Sequence, residues 1–194
     1  MILAMWQHPV TARSHWTRQI SIQDIKKKST GLFLNALFFI AVFVAASTFQ
    51  ARNMLSTSET PAPALTGPLL RGGSYDISAA DNRPVLVYFF APWCKFCAAS
   101  SDNLTRLRRL RDEESLQILT VALDWQDRDE VLEYVNRHDI DLPVLLGDGH
   151  IARDWRVQAF PTYYVLDSDR QIRRRDLGYS TQFGLWWRTW LVGK

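Results

Sequence analysis

Residues 84–97 of this chain read PVLVYFFAPWCKFC, and this stretch decides the fold. Its first part, Val85–Phe90, is an uncharged apolar run, which is typical of a strand buried on both faces of a sheet. Cys94 and Cys97 follow, and they are the two cysteines of the whole chain. If a helix continues from Lys95, Cys94 lies at its N-terminus and Cys97 lies one turn further along. The stretch therefore predicts a strand, a turn and a helix that together present a reactive dithiol.

Length and charge limit the kinds of protein that the chain can be. A length of 194 residues suggests one domain of about 100 to 150 residues plus an additional segment. The 23 basic and 20 acidic side chains give a formal net charge of +3, and the two signs are interspersed along the chain. We therefore do not expect nucleic acid as a partner.

An apolar segment at residues 31–49, GLFLNALFFIAVFVAASTF, predicts one transmembrane helix. It contains no charge, and its length is close to the roughly 20 residues that span a bilayer. Lysines 26–28 precede it, so the positive-inside rule makes residues 1–30 a cytoplasmic tail. The protein would then be a single-pass protein of the inner membrane, with its catalytic domain in the periplasm. A cleaved signal peptide, ending near the small residues 45–47, and a buried core helix are the alternatives.

Residues 50–69 are rich in Ser, Thr, Ala and Pro, a composition that is typical of an exposed linker. We therefore predict that this linker joins the transmembrane anchor to a folded domain at residues 70–194.

The folded domain alternates strand-like and helix-like segments. The patterns predict strands at 85–90, 116–123, 142–146, 163–166 and 171–177, and helices at 95–111, 127–138, 151–155 and 181–192. A short strand is also expected near residues 74–77. This order predicts an α/β fold in which helices flank a mixed sheet.

The chemistry expected of the two cysteines is thiol–disulfide exchange. Backbone N–H groups at a helix N-terminus stabilise an anion, which favours the thiolate form of Cys94, and Lys95 adds a positive charge beside it. Cys97 lies deeper in the helix and suits the role of resolving thiol. Cys94 would attack a partner disulfide, and Cys97 would then attack Cys94 to release the reduced partner. The same steps run backwards would oxidise a dithiol.

Other uses of the two cysteines remain open at this point. A purely structural disulfide is disfavoured, because a spacing of three residues closes a very short loop and constrains little of the unfolded chain. A zinc site usually needs four nitrogen or sulfur ligands, and the sequence contains no second cysteine pair. A copper-binding or copper-delivery module could use the two thiols with a histidine such as His138 or His150. We predict no resident metal and no cofactor.

Two motifs carry a family resemblance. FFAPWCKFC at residues 89–97 and FPTYYVLD at residues 160–167, in this order of elements, resemble the thioredoxin superfamily over about residues 70–192. The helix and strand predicted between 127 and 146 make the chain similar to the membrane-anchored TlpA, ResA and DsbE group, including the suppressor-of-copper-sensitivity D type. The resemblance implies a thioredoxin fold with an extra helix–strand insert. It also implies a protein disulfide oxidoreductase that acts on protein thiols outside the cytoplasm and receives electrons from a membrane donor.

The resemblance also implies roles for individual residues. Pro161 matches a cis-proline, and a cis bond would let the backbone of Phe160 face the dithiol and pair with an extended partner chain. Trp93, Lys95 and Phe96 would complete the substrate-binding surface, although Trp93 could instead be a core aromatic residue.

The chain departs from thioredoxin in two places. Tyr88 stands where thioredoxins have a buried acid for proton transfer, and Asp124, at the end of a neighbouring strand, is a candidate substitute. Lys95 and Phe96 replace the Gly-Pro pair between the two thiols. Because small changes in thiolate stabilisation move the redox potential, these residues leave the direction of electron flow open. We expect reduction of selected protein disulfides, with general oxidation as the alternative.

Overall fold

The structure is a computed structural model that describes residues 34–42, 45, 54–57, 61–79 and 82–192. The chain divides into two compact units, residues 1–45 and 46–194. In the first unit, residues 34–42 are helical and their side chains are exposed. No helix within the described ranges is long and apolar enough to cross a membrane. The rest of the predicted anchor and the predicted tail at 1–30 lie outside the described residues.

The second unit is built around a five-stranded mixed sheet. Its elements, in chain order, are β1 (Thr66–Pro68), β2 (Ser74–Asp76), a 3-10 turn (Ile77–Ala79), β3 (Val85–Phe90), α1 (Lys95–Leu110), β4 (Gln117–Ala122), α2 (Arg128–Arg137), β5 (Val144–Leu146), α3 (Gly149–Asp154), β6 (Thr162–Leu166), β7 (Ile172–Leu177) and α4 (Gln182–Trp190). The strand order in the sheet is β5-β4-β3-β6-β7, and β1 and β2 form a separate antiparallel pair. β4 and β5 run parallel to β3, whereas β6 is antiparallel to β3 and β7 is antiparallel to β6.

The central strand β3 divides the core into two layers. All six of its residues are buried, and alternate side chains point to opposite faces of the sheet. Leu86, Tyr88 and Phe90 pack under α1, α2 and α4 in one layer, which also contains both cysteines. Val85 and Phe89 pack in the other layer with Trp155, at the end of α3. An apolar run buried on both faces thus places the end of β3, and the turn that follows it, at the centre of the molecule.

Side-chain caps fix where the helices begin. Cys94, Asp127, Asp148 and Thr181 are the N-caps of α1, α2, α3 and α4, and each accepts a hydrogen bond from a backbone N–H in the first turn of its helix. The cap of α2 confirms the sequence prediction. The prediction for α3 began two residues late, because Asp148 caps a helix that starts at Gly149.

The N-terminal part of the second unit forms a strap, residues 54–57 and 61–76, across one face of the sheet. Met54 and Leu65 are buried in the core layer that contains Trp155. The strap pairs with the β7 side of the sheet through a bridge from Pro61 to Gln171, and with β5 through a bridge from Leu69 to Leu145.

The strap corrects the prediction of an exposed linker at 50–69. Leu65 has no solvent exposure, and residues 66–68 form a strand, so the folded unit begins before residue 70. The few apolar residues of this segment are the ones that enter the core, and their burial outweighs the polar composition around them.

The predicted order of strands and helices is otherwise confirmed. β3 coincides with the predicted strand 85–90, and α2 followed by β5 forms the predicted helix–strand insert. The chain thus has a thioredoxin-like α/β fold.

Candidate active site

Cys94 and Cys97 form a disulfide at the N-terminus of α1, with their Cα atoms 5.2 Å apart. The turn that follows β3 places Cys94 at the N-cap, where its Sγ accepts a hydrogen bond from the Cys97 N–H at 3.1 Å. A backbone N–H directed at Sγ, together with the helix dipole, stabilises a thiolate on Cys94 when the disulfide is reduced. Cys94 is 5% exposed and Cys97 is fully buried. Cys94 is therefore the more accessible of the two cysteines.

Exposed aromatic side chains surround the disulfide. Trp93 is 59% exposed in the turn before α1, and Phe96 is 69% exposed in the first turn of α1. The ring of Trp93 meets the ring of Phe160 edge to face, with 5.7 Å between their centroids. We call Trp93, Phe96 and Phe160 the aromatic rim. Large apolar side chains exposed beside a reactive group are typical of a docking surface rather than of a core.

The peptide bond between Phe160 and Pro161 is cis, which confirms the prediction made from the resemblance. Pro161 is buried, and its carbonyl accepts a hydrogen bond from the Gly178 N–H at 2.8 Å. Phe160 packs against the core layer that contains both cysteines. The structure thus brings the second motif of the sequence next to the first, as predicted.

Asp124 orients one side of the rim. Its carboxylate accepts a hydrogen bond from the indole N–H of Trp93 at 3.0 Å. Asp124 follows β4, whose end lies beside the end of β3, and it has a left-handed backbone with φ of 53°. A non-glycine residue in this conformation is uncommon and costs about 1 kcal/mol or more. The sequence placed Asp124 near the dithiol, and the structure shows that the carboxylate contacts Trp93.

A groove of about 490 Å³ begins at the rim, and sequence reasoning did not identify it. Its lining residues come from the ends of β4 and β5, from α3 and from the loop before β6; they are Leu123, Asp124, Trp125, Gly147, Asp148, Gly149, Ala152, Val157 and Phe160. Gly147 is required at its floor, because a Cβ there would lie 2.8 Å from Leu123 Cδ2 and 2.9 Å from Val121 Cγ1. In the sequence, Gly147 and Gly149 on either side of Asp148 were the signal that could have indicated a backbone packed closely against neighbouring side chains.

The floor beneath the disulfide is uncharged. Tyr88 is buried, and its hydroxyl donates a hydrogen bond to the carbonyl of Cys97 at 3.1 Å. Its ring lies 5.0 Å from that of Tyr163. Burial raises the pKa of Tyr88 well above its usual value, and the nearby Tyr163 and Tyr134 raise it further. Tyr88 therefore stays protonated at neutral pH and cannot take the proton that a carboxylate would accept there.

The histidines considered for a metal site do not join the cysteines. His138 follows α2 and its ring packs against Tyr134 at 4.7 Å, while His150 lies in α3 beside Arg153. Within the described part of the chain, no group of three or more His, Cys, Asp or Glu side chains is arranged to hold a metal ion. The structure therefore adds no support for the copper-binding alternative.

Comparison with known families accounts for this arrangement. The model of the AhpC/TSA family matches residues 59–175, which is more than half of the chain. The chain belongs to the AhpC/TSA family. The match begins within the strap and includes the disulfide, the groove and the cis-proline loop of this family member.

Two bacterial proteins are similar to this chain over most of its length. The chain is 24% identical over 162 residues to the thioredoxin-like protein YneN of Bacillus subtilis, covering 81% of this chain and 94% of YneN. It is 26% identical over 165 residues to the thiol:disulfide interchange protein DsbE of Xylella fastidiosa, covering 79% of this chain and 81% of that protein.

A solved structure shows the same fold. The thioredoxin-family thiol:disulfide interchange protein of Chlorobium tepidum superimposes with a TM-score of 0.65 at 18% identity, covering 72% of this chain and all of that one. This likeness confirms the predicted thioredoxin-like fold. The similarity to DsbE confirms the prediction of a thioredoxin-like disulfide oxidoreductase.

Proposed function

We propose that this chain is a membrane-anchored, extracytoplasmic oxidoreductase that reduces selected protein disulfides through Cys94 and Cys97. The observation that carries the proposal is the difference between the two sulfurs. Cys94 retains a small exposed fraction, 5%, with its Sγ at a helix N-terminus, whereas Cys97 has no exposed surface. One thiol is thus placed to attack a partner, and the other is placed to attack only the first.

The proposed reaction transfers two electrons to the partner. The Cys94 thiolate attacks one sulfur of the partner disulfide, a mixed disulfide forms, and the other partner sulfur leaves as a thiolate that takes up a proton. Cys97 then loses its proton and attacks Cys94 Sγ, which releases the second partner thiol and restores the Cys94–Cys97 disulfide. A thiol donor in the membrane would reduce this disulfide by the same two exchanges.

Because the floor under the dithiol is uncharged, the proton of Cys97 has to leave by another route. The carboxylate of Asp124 lies at the exposed rim and is held by Trp93. We propose that the Cys97 proton passes to solvent or to a partner group at this rim, and that Tyr88 only holds the helix in place.

The aromatic rim and the groove are the proposed substrate-binding surface. Trp93, Phe96 and Phe160 offer apolar contacts, and the backbone around the cis Phe160–Pro161 bond would pair with an extended partner chain. The exposed Lys95 would attract an acidic group on the partner. Selectivity would come from the side chains that enter the groove.

The proposed location is the inner membrane, with residues 1–30 in the cytoplasm, an anchor at 31–49 and the catalytic unit in the periplasm. Support comes from the uncharged apolar run with lysines before it, and from the exposed apolar side chains of helical residues 34–42. An anchored chain stays with the membrane after a carbonate wash, and release by that wash would rule out the anchor.

Trapping tests the catalytic roles. In Cys97→Ser the mixed disulfide on Cys94 cannot be resolved, so we expect covalent adducts with periplasmic proteins. Dithiothreitol should reduce these mixed disulfides and separate the two proteins. Cys94→Ser is the matched control and should trap none, because Cys97 has no solvent exposure. Equal trapping by both variants, or by neither, would contradict the assignment of attacking and resolving thiols.

A redox titration tests the direction. A reductase should have a potential well below the value of about −120 mV that is typical of a strong disulfide oxidant. A potential near that value, together with failure of any membrane thiol donor to reduce the chain, would favour oxidation instead.

A further inference from the structure

One side of the C-terminal helix α4 exposes large apolar side chains to solvent. Phe183 is 70% exposed, Trp187 is 46% exposed and Leu191 is 37% exposed, and their spacing of four residues puts them on one side of the helix. The half-buried Trp186 and Trp190 border this patch, and Trp186 also packs against the core layer that contains the cysteines. The rings of Trp187 and Trp190 stack with 5.8 Å between their centroids. We call these five residues the aromatic face.

The opposite side of α4 holds the helix in the fold. Leu185 and Thr189 are buried, and Leu185 belongs to the same core layer as the cysteines. Thr181 caps the helix by accepting a hydrogen bond from the Gly184 N–H at 3.1 Å. Since the inner side suffices to fold and dock the helix, the exposed aromatic residues need another explanation.

The surroundings of the aromatic face are basic. Residues 167–194 contain six basic and three acidic side chains, and the helix itself has no acidic residue. Two of the three acids are neutralised, since Asp176 pairs with Arg188 at 2.7 Å and Asp167 pairs with Arg173 at 2.6 Å. The exposed Arg174 lies on the adjacent strand β7. This excess of positive charge is complementary to an anionic surface.

The chain length before the folded unit limits how far that unit can be from a membrane. Four residues separate Phe49, the end of the apolar segment, from Met54, which is buried in the core. They can span at most about 18 Å. The carbonyls of Met54 and Leu55 accept hydrogen bonds from Arg175 of β7, so the chain enters the fold at the strand that leads to α4.

We propose that the aromatic face of α4 lies in the head-group region of a bilayer that contains anionic lipid. Indole side chains favour this region because they have an apolar ring and one N–H donor, and nearby arginines bind lipid phosphates. This inference rests on the anchored location proposed above. The bilayer would then restrict the orientation of the catalytic unit, since the Asn103 side chain donates to the Ser180 carbonyl at 3.0 Å and so links α1 to the start of α4.

Hydroxyl-radical footprinting of the full-length chain in vesicles tests the proposal, because the chain contains matched aromatic controls. Phe96 is 69% exposed and Trp93 is 59% exposed, close to the values for Phe183 and Trp187. The vesicles would contain phosphatidylcholine with about a quarter phosphatidylglycerol. We expect Phe183 and Trp187 to be oxidised at least about fivefold more slowly than Phe96 and Trp93, since the head-group region excludes much of the water. Equal rates within each pair would overturn the proposal.

A double variant tests the contact itself. Phe183→Ser with Trp187→Ser removes two exposed side chains. Because Trp187 stacks on Trp190, the quantity compared is the ratio of the Trp190 oxidation rate in detergent to that in vesicles, and we expect this ratio to fall severalfold in the double variant. Leu110→Ser removes a side chain that is 56% exposed on α1, and it should leave Trp190 unchanged. An unchanged ratio of Trp190 oxidation in detergent to that in vesicles would overturn the proposal.

Two further measurements separate the possible outcomes. Protection that disappears when the protein is diluted in excess lipid would indicate a second copy of the chain as the partner and overturn the proposal. If the chain resists carbonate extraction but the oxidation rates are equal, the proposed anchor stands and the proposed contact of α4 with the bilayer is overturned. A chain that leaves the vesicles on the wash and shows equal rates would contradict both.

Discussion

The replacement Tyr88→Phe tests whether the Tyr88 hydroxyl stabilises the fold without affecting the redox potential of the disulfide. The hydroxyl of Tyr88 donates to the Cys97 carbonyl at 3.1 Å, and the side chain is 1% exposed. Phenylalanine fits the same space, so the change removes one buried hydrogen bond, worth about 1 kcal/mol of unfolding free energy. The Cys97 carbonyl lies within α1 and still accepts a helical hydrogen bond after the change, so we expect a loss of unfolding free energy of no more than about 1 kcal/mol.

The same replacement should barely move the redox potential. The bond goes to a carbonyl oxygen rather than to sulfur, so it should differ little between the oxidised and reduced states. A difference of about 0.4 kcal/mol would shift the potential by under about 10 mV, given about 30 mV for 1.4 kcal/mol. Urea unfolding in mild detergent and a thiol redox titration measure the two quantities. A loss above about 3 kcal/mol, beyond what one hydrogen bond supplies, or a shift above about 30 mV would refute the reasoning.

The raised pKa of Tyr88 adds a pH test. Burial keeps this tyrosine protonated in the folded state at a pH where an unfolded tyrosine ionises. Its contribution to stability is therefore present below the ordinary tyrosine pKa of about 10 and is lost as pH rises above it. We expect Tyr88→Phe to lose less stability than the wild type between pH 9 and 11, and an identical pH dependence would contradict this.

Three other substitutions test the fold around the site. Leu65→Ala should cost about 2 to 5 kcal/mol of unfolding free energy, because the side chain is fully buried; a loss below about 0.5 kcal/mol would instead fit an exposed linker. Asp148→Ala should cost about 1 kcal/mol by removing the cap of α3, and Asp148→Ser should restore most of it. Because hydrogen bonds from the backbone of α3 lower the pKa of Asp148, this stability is present above about pH 4 and is lost as pH falls through the lower folded value, so urea titrations at pH 7 and pH 3 should differ. Burial raises the pKa of Asp176 despite its pairing with Arg188, so its folded form gains stability below about pH 4 and loses it as pH rises through the raised value. At pH 7, Asp176→Asn should therefore cost under about 1 kcal/mol, while Arg188→Met leaves a partly buried carboxylate unpaired and should cost about 2 kcal/mol; the opposite order in thermal unfolding would contradict the explanation.

Much of the fold could be predicted because a few local signals agree with the tertiary structure. The run 85–90 is apolar at every position, and it forms a strand whose six residues are all buried. Asp127 predicts the start of α2 because its side chain accepts a hydrogen bond from the first turn of that helix. The cysteine spacing and the Phe160–Pro161 motif located the active site because both depend on short segments.

The missed features depend on contacts between distant segments. Leu65 reaches the core through the path of the strap, and the Ser, Thr and Pro residues around it give no sign of that path. The bond between Trp93 and Asp124 joins residues 31 positions apart and requires the ends of β3 and β4 to lie side by side. The groove likewise needs Gly147, whose role is apparent only when Leu123 and Val121 are placed beneath it.

The strap has a consequence for how the protein meets unfolded chains. It occupies the sheet at both sides: the Leu70 N–H donates to the Val144 carbonyl of β5 at 2.8 Å, and the Ala62 N–H donates to the Arg170 carbonyl beside β7 at 2.7 Å. Open sheet edges recruit strands from other molecules, which leads to aggregation. A partner protein that offers an extended segment, as the proposed function requires, could pair with such an edge. By occupying part of the β5 edge and the start of the β7 side, the strap would leave less edge for non-productive strand addition and favour pairing at the loop beside the disulfide.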